Sequence, residues 1–236
     1  MLSTGKPRLL GVGPPSSFPH VLGTILAMAT SGMTRAGSVA TTAGPAVSAR
    51  DRILNAAYDL MCRHGVRAVG VDRIIETSGV AKMSFYRNFR SKDDLVLAVL
   101  ERREERWTED WLQAEVRRRA ADPADRLLAV FDVFDGWFRL SDFEGCLFVN
   151  VVLEIENPSH PIHRAGRAHL ANIRSFIQDL AQQTGIADPE AFSRQWHILM
   201  KGSIVAAGEG DVDAALRAKA IGTLLLAKAI APSANC

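Results

Sequence analysis

The sequence of this 236-residue chain predicts an all-α fold. Helix N-capping signals recur from Ser48 onward, and the apolar residues that follow them are spaced by about 3.6 positions. Runs of alternating β-branched residues, which would indicate strands, are scarce. The composition, 47% hydrophobic and 23% charged, is that of an ordinary folded protein, so it excludes collagen-like, purely coiled-coil and wholly disordered chains.

Capping residues and glycines delimit the predicted helices. Capping boxes begin at Ser48 and Ser91, where a serine precedes an acidic residue by three positions. Gly65 and Gly79 stand where a helix end or a tight turn needs a left-handed residue. Two Asp-Pro pairs further along the chain mark additional helix starts. The predicted helices span residues 49–64, 71–78, 82–89, 92–119, 123–140, 145–155, 160–184, 189–207 and 212–230.

The first 47 residues form a separate segment without acidic side chains. They are rich in Gly, Pro, Ser, Thr and Ala and show no sustained period, which predicts a disordered N-terminal extension. The apolar run at residues 21–29 weakly imitates a secretory signal, but prolines directly before it argue against that interpretation. Met28 and Met33 are alternative starting residues, so the sequence leaves open whether the native protein contains the extension.

The cysteines and the apolar runs indicate the compartment. Cys62, Cys146 and Cys236 are odd in number and widely spaced, which favours neither a disulfide framework nor a zinc site. No apolar run approaches the roughly 20 residues of a membrane span. We therefore expect a cytoplasmic protein with no membrane partner.

Charge is distributed unevenly although the formal net charge is only +2. Residues 107–236 carry 13 basic and 17 acidic side chains, whereas residues 63–92 carry seven basic and two acidic ones. A concentration of positive charge is the footprint expected of a surface that binds phosphate. The seven basic residues are Arg63, Arg67, Arg73, Lys82, Arg87, Arg90 and Lys92.

Two short predicted helices joined at Gly79 have the geometry of a helix-turn-helix, whose second helix enters the major groove of DNA. That helix offers a cation, hydroxyls, a guanidinium and an amide, which suit phosphate oxygens and base edges. Apolar residues on the two helices would lock them together. Helical pairs with a glycine turn also occur in proteins that never bind DNA, so geometry alone leaves both interpretations open.

The residues in and around the predicted helix-turn-helix resemble those of a known protein family. The strings RDRILNAAYDLMCRHGVRAVGVDRIIETS and GVAKMSFYRNFRSKDDLVLAVL are similar to the N-terminal domain of the tetracycline-repressor (TetR) family of bacterial transcriptional regulators. The resemblance covers about residues 48–106, with the recognition motif at 71–90. It implies a DNA-binding domain over 48–106 and a ligand-binding and dimerisation domain over 107–236. It also implies a dimeric repressor of a palindromic operator that responds to a small molecule.

The resemblance also implies positions that contact DNA. Tyr86 and Lys92 would reach backbone phosphates, and Arg87 is the first candidate for reading a base. Gly70 stands where the family usually has a capping Thr or Ser, which puts a side-chain cap or a phosphate contact there in doubt. The full set of expected DNA-binding residues is Lys82, Met83, Ser84, Tyr86, Arg87 and Lys92.

The C-terminal domain holds most of the aromatic residues, and a helical core accounts for most of them. An effector pocket, which the resemblance implies, needs apolar walls with few polar anchors. Asn150 and Glu154 are four residues apart on one helical face, where they could orient a ligand, cap neighbouring helices or remain solvated. Cys146 could sense oxidants or serve as a small buried apolar residue. The expected effector-binding residues are Trp137, Phe138, Cys146, Asn150 and Glu154.

Two further groups of residues are candidates for binding, one for a metal ion and one for a second copy of the chain. His169 lies about 120° round a helix from His163, so His160, His163 and His169 do not share a face, and we expect capping or surface histidines rather than a metal site. The last two predicted helices carry small residues at helical spacing, which permits close packing at a dimer interface or within the chain. These expected interface residues are Gly202, Ala206, Ala218 and Gly222.

The sequence therefore predicts a DNA-binding regulator that forms a homodimer, binds operator DNA and a small-molecule effector, and needs no cofactor or metal. One alternative is a constitutive or architectural DNA-binding protein without an effector. A second is a helical enzyme, but no nucleophile–base pair, phosphate loop or metal spacing supports it, and we expect no enzyme activity. The effector, the operator sequence and the choice between repression and activation are not encoded in any motif.

Overall fold

The structure is a computed structural model that describes residues 47–231. The predicted disordered extension therefore lies outside the described residues, apart from Val47. Within the described range the secondary structure is helical and contains no strand, which confirms the all-α prediction. The helices are α1 Ala49–His64, α2 Val71–Ser78, α3 Lys82–Asn88, α4 Lys92–Arg103, α5 Ala114–Arg119, α6 Pro123–Phe138, α7 Leu147–Glu154, α8 Pro161–Gln183, α9 Pro189–Gly208 and α10 Ala214–Ile230.

Side-chain caps mark several of the helix starts. The hydroxyl of Ser48 accepts from the Asp51 N–H at 3.1 Å, and that of Ser91 accepts from the Asp94 N–H at 3.1 Å. Asp188 caps α9 in the same way, through the Ala191 N–H at 2.9 Å. Each cap satisfies a backbone donor that the first helical turn leaves without a partner, so the capping signals locate these helix starts correctly.

The predicted helix over 92–119 is continuous but not α-helical throughout. A π-helical segment, Glu104–Gln113, connects α4 to α5. Its inward face carries the Trp107 and Trp111 rings, whose centroids lie 5.5 Å apart. Apolar residues at these spacings are compatible with both an α-helical and a wider π turn, so the sequence pattern does not distinguish them.

The helices α1, α2 and α3 pack with the start of α4 around a small apolar core. Ile74 of α2 and Phe85 of α3 are fully buried, and Phe89 directly after α3 is nearly so. The rings of Phe85 and Phe89 lie 6.2 Å apart. Burial of these three side chains fixes α3 against α1, because each aromatic ring removes a large apolar area from water.

The remaining helices form a bundle in which α9 packs on α8 and α10, and α6 packs on α10. The core includes Phe131, Phe134 and Trp196, each of which is fully buried or nearly so. Trp196 lies over Phe131 with ring centroids 5.3 Å apart. Since α4 contacts both α1 and α8, this helix joins the N-terminal core to the bundle.

Candidate DNA-binding surface and regulatory cavity

The turn between α2 and α3 places α3 on the surface. Gly79 ends α2 in the left-handed conformation, with φ +62°, and its N–H donates to the Glu76 carbonyl at 3.2 Å. A residue with a side chain adopts this conformation rarely, so glycine suits the turn. On the inner face of α3 Phe85 is fully buried, and the opposite face is left free for contact with another molecule.

The outer face of α3 carries the side chains that the sequence predicts for DNA contact. Met83 is 67% exposed and Tyr86 is 46% exposed, and Lys82 and Arg87 are exposed beside them. Ser84 is half-buried at the edge of this face. An apolar side chain as exposed as Met83 has no role in the core of the chain, which is consistent with a contact surface.

Among residues 47–231, Lys82 forms an ion pair with Asp72. Its Nζ lies 3.6 Å from a carboxylate oxygen of Asp72, and both side chains are largely exposed. Exposed pairs of this kind contribute little free energy, so Lys82 can exchange Asp72 for a phosphate at small cost.

Lys92 lies at the start of α4 and reaches the loop before α2. Its Nζ donates to the carbonyl oxygen of Arg67 at 3.3 Å. Burial lowers the pKa of Lys92, while the nearby carboxylates of Asp93 and Glu154 oppose this shift. Lys92 therefore ties α4 to the loop in addition to its predicted contact with DNA.

Gly70 precedes α2 without a side-chain cap. A Cβ atom built on this residue would meet no atom within 4 Å. Crowding therefore does not require a glycine at this position. Because glycine has no side-chain hydroxyl, the first N–H groups of α2 receive no capping hydrogen bond from this residue.

Two basic residues of the segment 63–92 form hydrogen bonds with carboxylates of the C-terminal domain, one through its side chain and one through its backbone. Arg63 Nε donates to Glu144 at 2.9 Å. The backbone N–H of Arg67 donates to Glu154 Oε2 at 2.8 Å. We call this set, Arg63, Arg67, Glu144 and Glu154, the domain junction. It connects the loop between α1 and α2 to α7 and to the segment before α7.

Glu154 therefore has a structural partner at the domain junction, and its role in orienting an effector stays a prediction. Its Oε1 would lie only 2.6 Å from a Cβ atom built on Gly65, so this glycine leaves the space that the carboxylate occupies. Gly65 also has φ +80°, which favours glycine independently. The contact with the Arg67 N–H agrees with the alternative in which Glu154 caps a neighbouring segment.

A cavity of about 360 Å³ lies between α7 and the C-terminal end of α9. Cys146 and Asn150 line it, as predicted for effector-binding residues, together with Phe143, Val149 and Ile204. Trp137 and Phe138 do not line this cavity. They lie behind it, with each ring 5.0 Å from the ring of Phe143.

Buried polar side chains accompany the aromatic cluster next to this cavity. Arg103 is buried and donates a hydrogen bond to the Tyr58 hydroxyl, and its guanidinium lies 5.1 Å from the centre of the Trp107 ring. The indole N–H of Trp107 is buried without a hydrogen-bond partner in the part of the chain that the structure describes. Sequence reasoning missed Arg103, because a lone arginine in a helix is usually solvated.

The cysteine of the cavity is not an activated thiol. Burial raises the pKa of Cys146, and burial also raises the pKa of Cys62 to about 11. Because the thiolate is the reactive form, a raised pKa reduces the reactive fraction at neutral pH, which favours both side chains as small buried apolar residues.

The three histidines considered for metal binding have separate roles. His160 caps α8 through the Ile162 N–H at 3.3 Å, and Nδ1 of His163 lies 2.7 Å from the Ile155 carbonyl oxygen. His169 stacks on Phe148, with ring centroids 4.8 Å apart. Among residues 47–231 no three His, Cys, Asp or Glu side chains are placed to hold a metal ion.

The helices α9 and α10 expose an apolar face, although its residues are not the predicted small ones. Ala218 and Gly222 are buried inside the chain, where a Cβ on Gly222 would lie 2.9 Å from Trp196. Their close packing is therefore intrachain, which corrects the expected partner contact at these two positions. Gly202 is exposed and Ala206 is half-buried. We define the α9–α10 face by its exposed apolar side chains, Ile198, Val205, Ile221 and Leu224.

Comparison with known proteins agrees with this geometry. A family model described as bacterial regulatory proteins of the tetR family matches residues 53–99. The structure of a putative TetR transcriptional regulator from Streptomyces avermitilis is 32% identical, with a TM-score of 0.69, and the match covers 78% of this chain and 98% of that one. The chain belongs to the TetR family. It is a DNA-binding transcriptional regulator.

Other relatives of this TetR-family protein support the assignment. The TetR-family regulator SCO4454 from Streptomyces coelicolor is 29% identical with a TM-score of 0.70, over 77% of this chain and 96% of that chain. The HTH-type transcriptional activator FasR from Mycolicibacterium smegmatis is 35% identical over 85 residues, and QacR from Staphylococcus aureus, an HTH-type transcriptional regulator, is 29% identical over 68. These matches span 36% of this chain and 38% of FasR, and 29% of this chain and 36% of QacR. In the described part of the chain, no helix is both long and apolar enough to cross a bilayer.

Proposed function

We propose that this TetR-family protein is a ligand-responsive repressor that binds a palindromic operator as a homodimer in the cytoplasm. The exposed outer face of α3 carries the proposal, because Phe85 holds the helix in place while Met83, Tyr86 and Arg87 remain free for DNA. Residues 48–106 form the DNA-binding domain and residues 107–236 the regulatory and dimerisation domain. Its relatives are regulators, and we assign it no catalytic residue.

Each exposed side chain of α3 has a role suited to its chemistry. Arg87 presents a forked guanidinium, which pairs with the two acceptors on a guanine edge. Tyr86 donates to a phosphate, and Met83 packs on a thymine methyl group. Lys82 and Ser84 bind the sugar-phosphate backbone of the DNA, and Lys92 adds a positive charge at the start of α4.

The DNA-binding proposal is tested on the DNA that flanks the gene. Arg87→Ala is expected to weaken binding by about tenfold or more, because a base contact is worth about 1–3 kcal/mol. Fluorescence anisotropy with a labelled duplex measures this loss. The control is Arg194→Ala, since Arg194 is paired with Glu190 on α9, away from α3. Equal affinity of the wild type and Arg87→Ala would contradict the proposal.

The α9–α10 face supports the homodimer. Ile198 and Val205 are two helical turns apart on α9, and Ile221 and Leu224 stand on the adjoining side of α10. A groove of about 570 Å³ runs between the two helices and is lined in part by Ile198 and Ile221. A second copy of the face would cover these side chains and fill the groove. A two-fold dimer would then present two α3 helices to a palindromic site, whose half-sites lie about 34 Å or a multiple of this apart.

Sedimentation velocity tests the dimer with matched charge substitutions. Leu224→Asp places a charge in the centre of the apolar face and is expected to give monomers that lose operator affinity. Leu153→Asp is the control, because Leu153 on α7 is equally exposed, at 74% against 73%, but lies outside the face. A dimer that survives Leu224→Asp and dissociates with Leu153→Asp would place the interface elsewhere.

The cavity beside α7 supports effector control. Asn150 lines the cavity at one end of α7, and Glu154 holds the Arg67 backbone at the other end. An apolar ligand that shifts α7 therefore acts on the loop before α2. This coupling requires the ligand to prefer the conformation in which the two α3 helices no longer fit successive major grooves.

A thermal-shift screen of apolar compounds tests effector binding, since a ligand stabilises the native state that binds it. A compound that raises Tm should also release operator DNA. Asn150→Ala is expected to lose both effects, and Asn172→Ala, on the exposed side of α8, should keep them. If no compound releases DNA, the constitutive DNA-binding protein is the better account. A promoter–reporter assay decides between repression and activation.

A further inference from the structure

A second concentration of positive charge lies far along the chain, between α8 and α9. Residues 157–178 and 191–208 contain no Asp or Glu, although the C-terminal domain as a whole is acidic. Four cations from these segments line one cleft, together with the ring of His197. These cations are Arg164, Arg167, Arg174 and Lys201.

The cations of this cleft have no carboxylate partner in the part of the chain that the structure describes. None of the ion pairs found among residues 47–231 includes any of the four. Like charges that face each other across a cleft repel, so their concentration lowers stability unless an anion offsets it. Basic residues elsewhere, such as Arg139 with Asp135 and Asp213, do have carboxylate partners.

His197 lies in the wall of the cleft, next to its positive charges. Its ring is buried at 4% exposure, on the wall of the cleft that α9 provides. Burial is the main cause that lowers the pKa of His197 to about 4, and the positive charges of Lys201 and Arg174 contribute to the same shift. The imidazole is therefore neutral at pH 7 and adds a hydrogen-bonding group to the cationic wall.

We propose that the cleft between α8 and α9 binds a phosphorylated small molecule that carries a diphosphate or a longer phosphate chain. The three arginines span ten residues of α8, about 15 Å, which exceeds the reach of a single phosphate. The cleft volume of about 460 Å³ is that of a small-molecule site. Arginine forks bind phosphate oxygens in pairs, and Leu170 supplies an apolar contact for the remainder of the ligand.

The geometry favours a small molecule over a second DNA contact. The four cations line one recess of about 460 Å³ between two helices, which is the size of a small-molecule site. It also differs from the α9–α10 face, because Ile198 lies about 100° round α9 from His197. The effector cavity is lined by α7 and the end of α9, so the cleft is separate from it as well.

Titration calorimetry on the full chain, with inorganic pyrophosphate as the probe, tests the site. One pyrophosphate is expected per chain, with orthophosphate binding more weakly. The double variant Arg167→Gln/Arg174→Gln should weaken pyrophosphate binding by about tenfold or more, because it removes two of the four cations that line the cleft. Arg194→Gln is the matched control, and its affinity should equal that of the wild type. Circular dichroism and Tm confirm that the variants fold.

A second readout distinguishes a built site from general electrostatic attraction. Bound pyrophosphate should raise the pKa of His197, measured by NMR with His197→Gln as the assignment control. Three results would overturn the proposal. They are no binding to the wild type, equal losses in Arg194→Gln and the double variant, and an unchanged His197 titration. Loss of affinity for scrambled duplex DNA in the double variant, without pyrophosphate binding to the wild type, would assign the cleft to nucleic acid instead.

Discussion

The face of α3 and the domain junction draw on the same basic segment, residues 63–92, and use its charge in opposite ways. On α3 the guanidinium of Arg87 is exposed, and Lys82 is paired with the exposed carboxylate of Asp72. At the junction Arg63 is held by Glu144, and the backbone of Arg67 is held by Glu154. The first arrangement leaves charge available for DNA, and the second fixes the DNA-binding domain on the bundle.

The positive charge of residues 63–92 is therefore shared between two surfaces, the exposed face of α3 and the domain junction. Acidic residues far along the sequence neutralise part of the excess at the junction. The surface that remains for DNA is smaller than the count of basic residues suggests, and it is centred on α3. Four substitutions test this division.

The largest expected effect on stability comes from Gly65→Ala at the junction. Alanine is strained at φ +80°, and its Cβ would meet the Glu154 carboxylate at 2.6 Å. We expect a loss of about 1–3 kcal/mol in the free energy of unfolding, measured with urea. Gly136→Ala on α6 is the control, because a Cβ there meets nothing within 4 Å and the residue is helical. If both variants were equally stable, the close fit of Glu154 would be incorrect.

A smaller loss is expected for Glu154→Ala. The Arg67 N–H loses its acceptor, which costs about 1 kcal/mol of stability. Operator DNA should still bind, but a compound that stabilises the protein should no longer release it, because α7 is uncoupled from the loop. Combining this change with Gly65→Ala should cost less than the sum of the two, as expected for residues in contact. Additive losses together with intact release would remove Glu154 from the coupling.

Arg63→Ala is expected to have a weaker effect still. Arg63 and Glu144 form a pair in which the arginine is about half exposed, so its loss should cost at most about 1 kcal/mol. Chemical denaturation in low and high salt measures it, and the difference from the wild type should shrink as salt rises. A salt-independent loss would indicate a packing role for the Arg63 side chain.

The smallest effect is expected for Asp72→Asn. The pair with Lys82 is exposed on both sides, so stability should change by less than about 0.5 kcal/mol. Removing a negative charge next to the α3 face should strengthen operator binding slightly and steepen its salt dependence. Glu76→Gln, on the same helix but without an ion pair to α3, serves for comparison. Weaker DNA binding in Asp72→Asn would mean that Asp72 positions Lys82.

Sequence reasoning predicts the helices better than the contacts between them. Caps at Ser48, Ser91 and Asp188 are local signals, and the helix boundaries they predict agree with the structure to within a few residues. The exposed and buried sides of α3 follow from the same periodicity. The pairing of Glu154 with Arg67 depends on residues 87 positions apart, and no local pattern encodes it.

The errors at α10 have a similar cause. Ala218 and Gly222 have the spacing of a close helix contact, which is correct, but spacing does not identify the partner. The structure supplies it, since Gly222 accommodates Trp196 of the same chain. In the sequence, Ile221 and Leu224 look like core residues. Only the structure distinguishes them from the core, because it shows that both side chains are exposed.

The most direct test of the division between α3 and the junction is operator affinity measured side by side for Arg87→Ala and Arg63→Ala at one salt concentration. Both variants remove one positive charge from the same segment. The account predicts a loss of about tenfold or more for Arg87→Ala and little change for Arg63→Ala. Equal losses in the two variants would contradict it, because DNA would then respond to the total charge of the segment rather than to the face of α3.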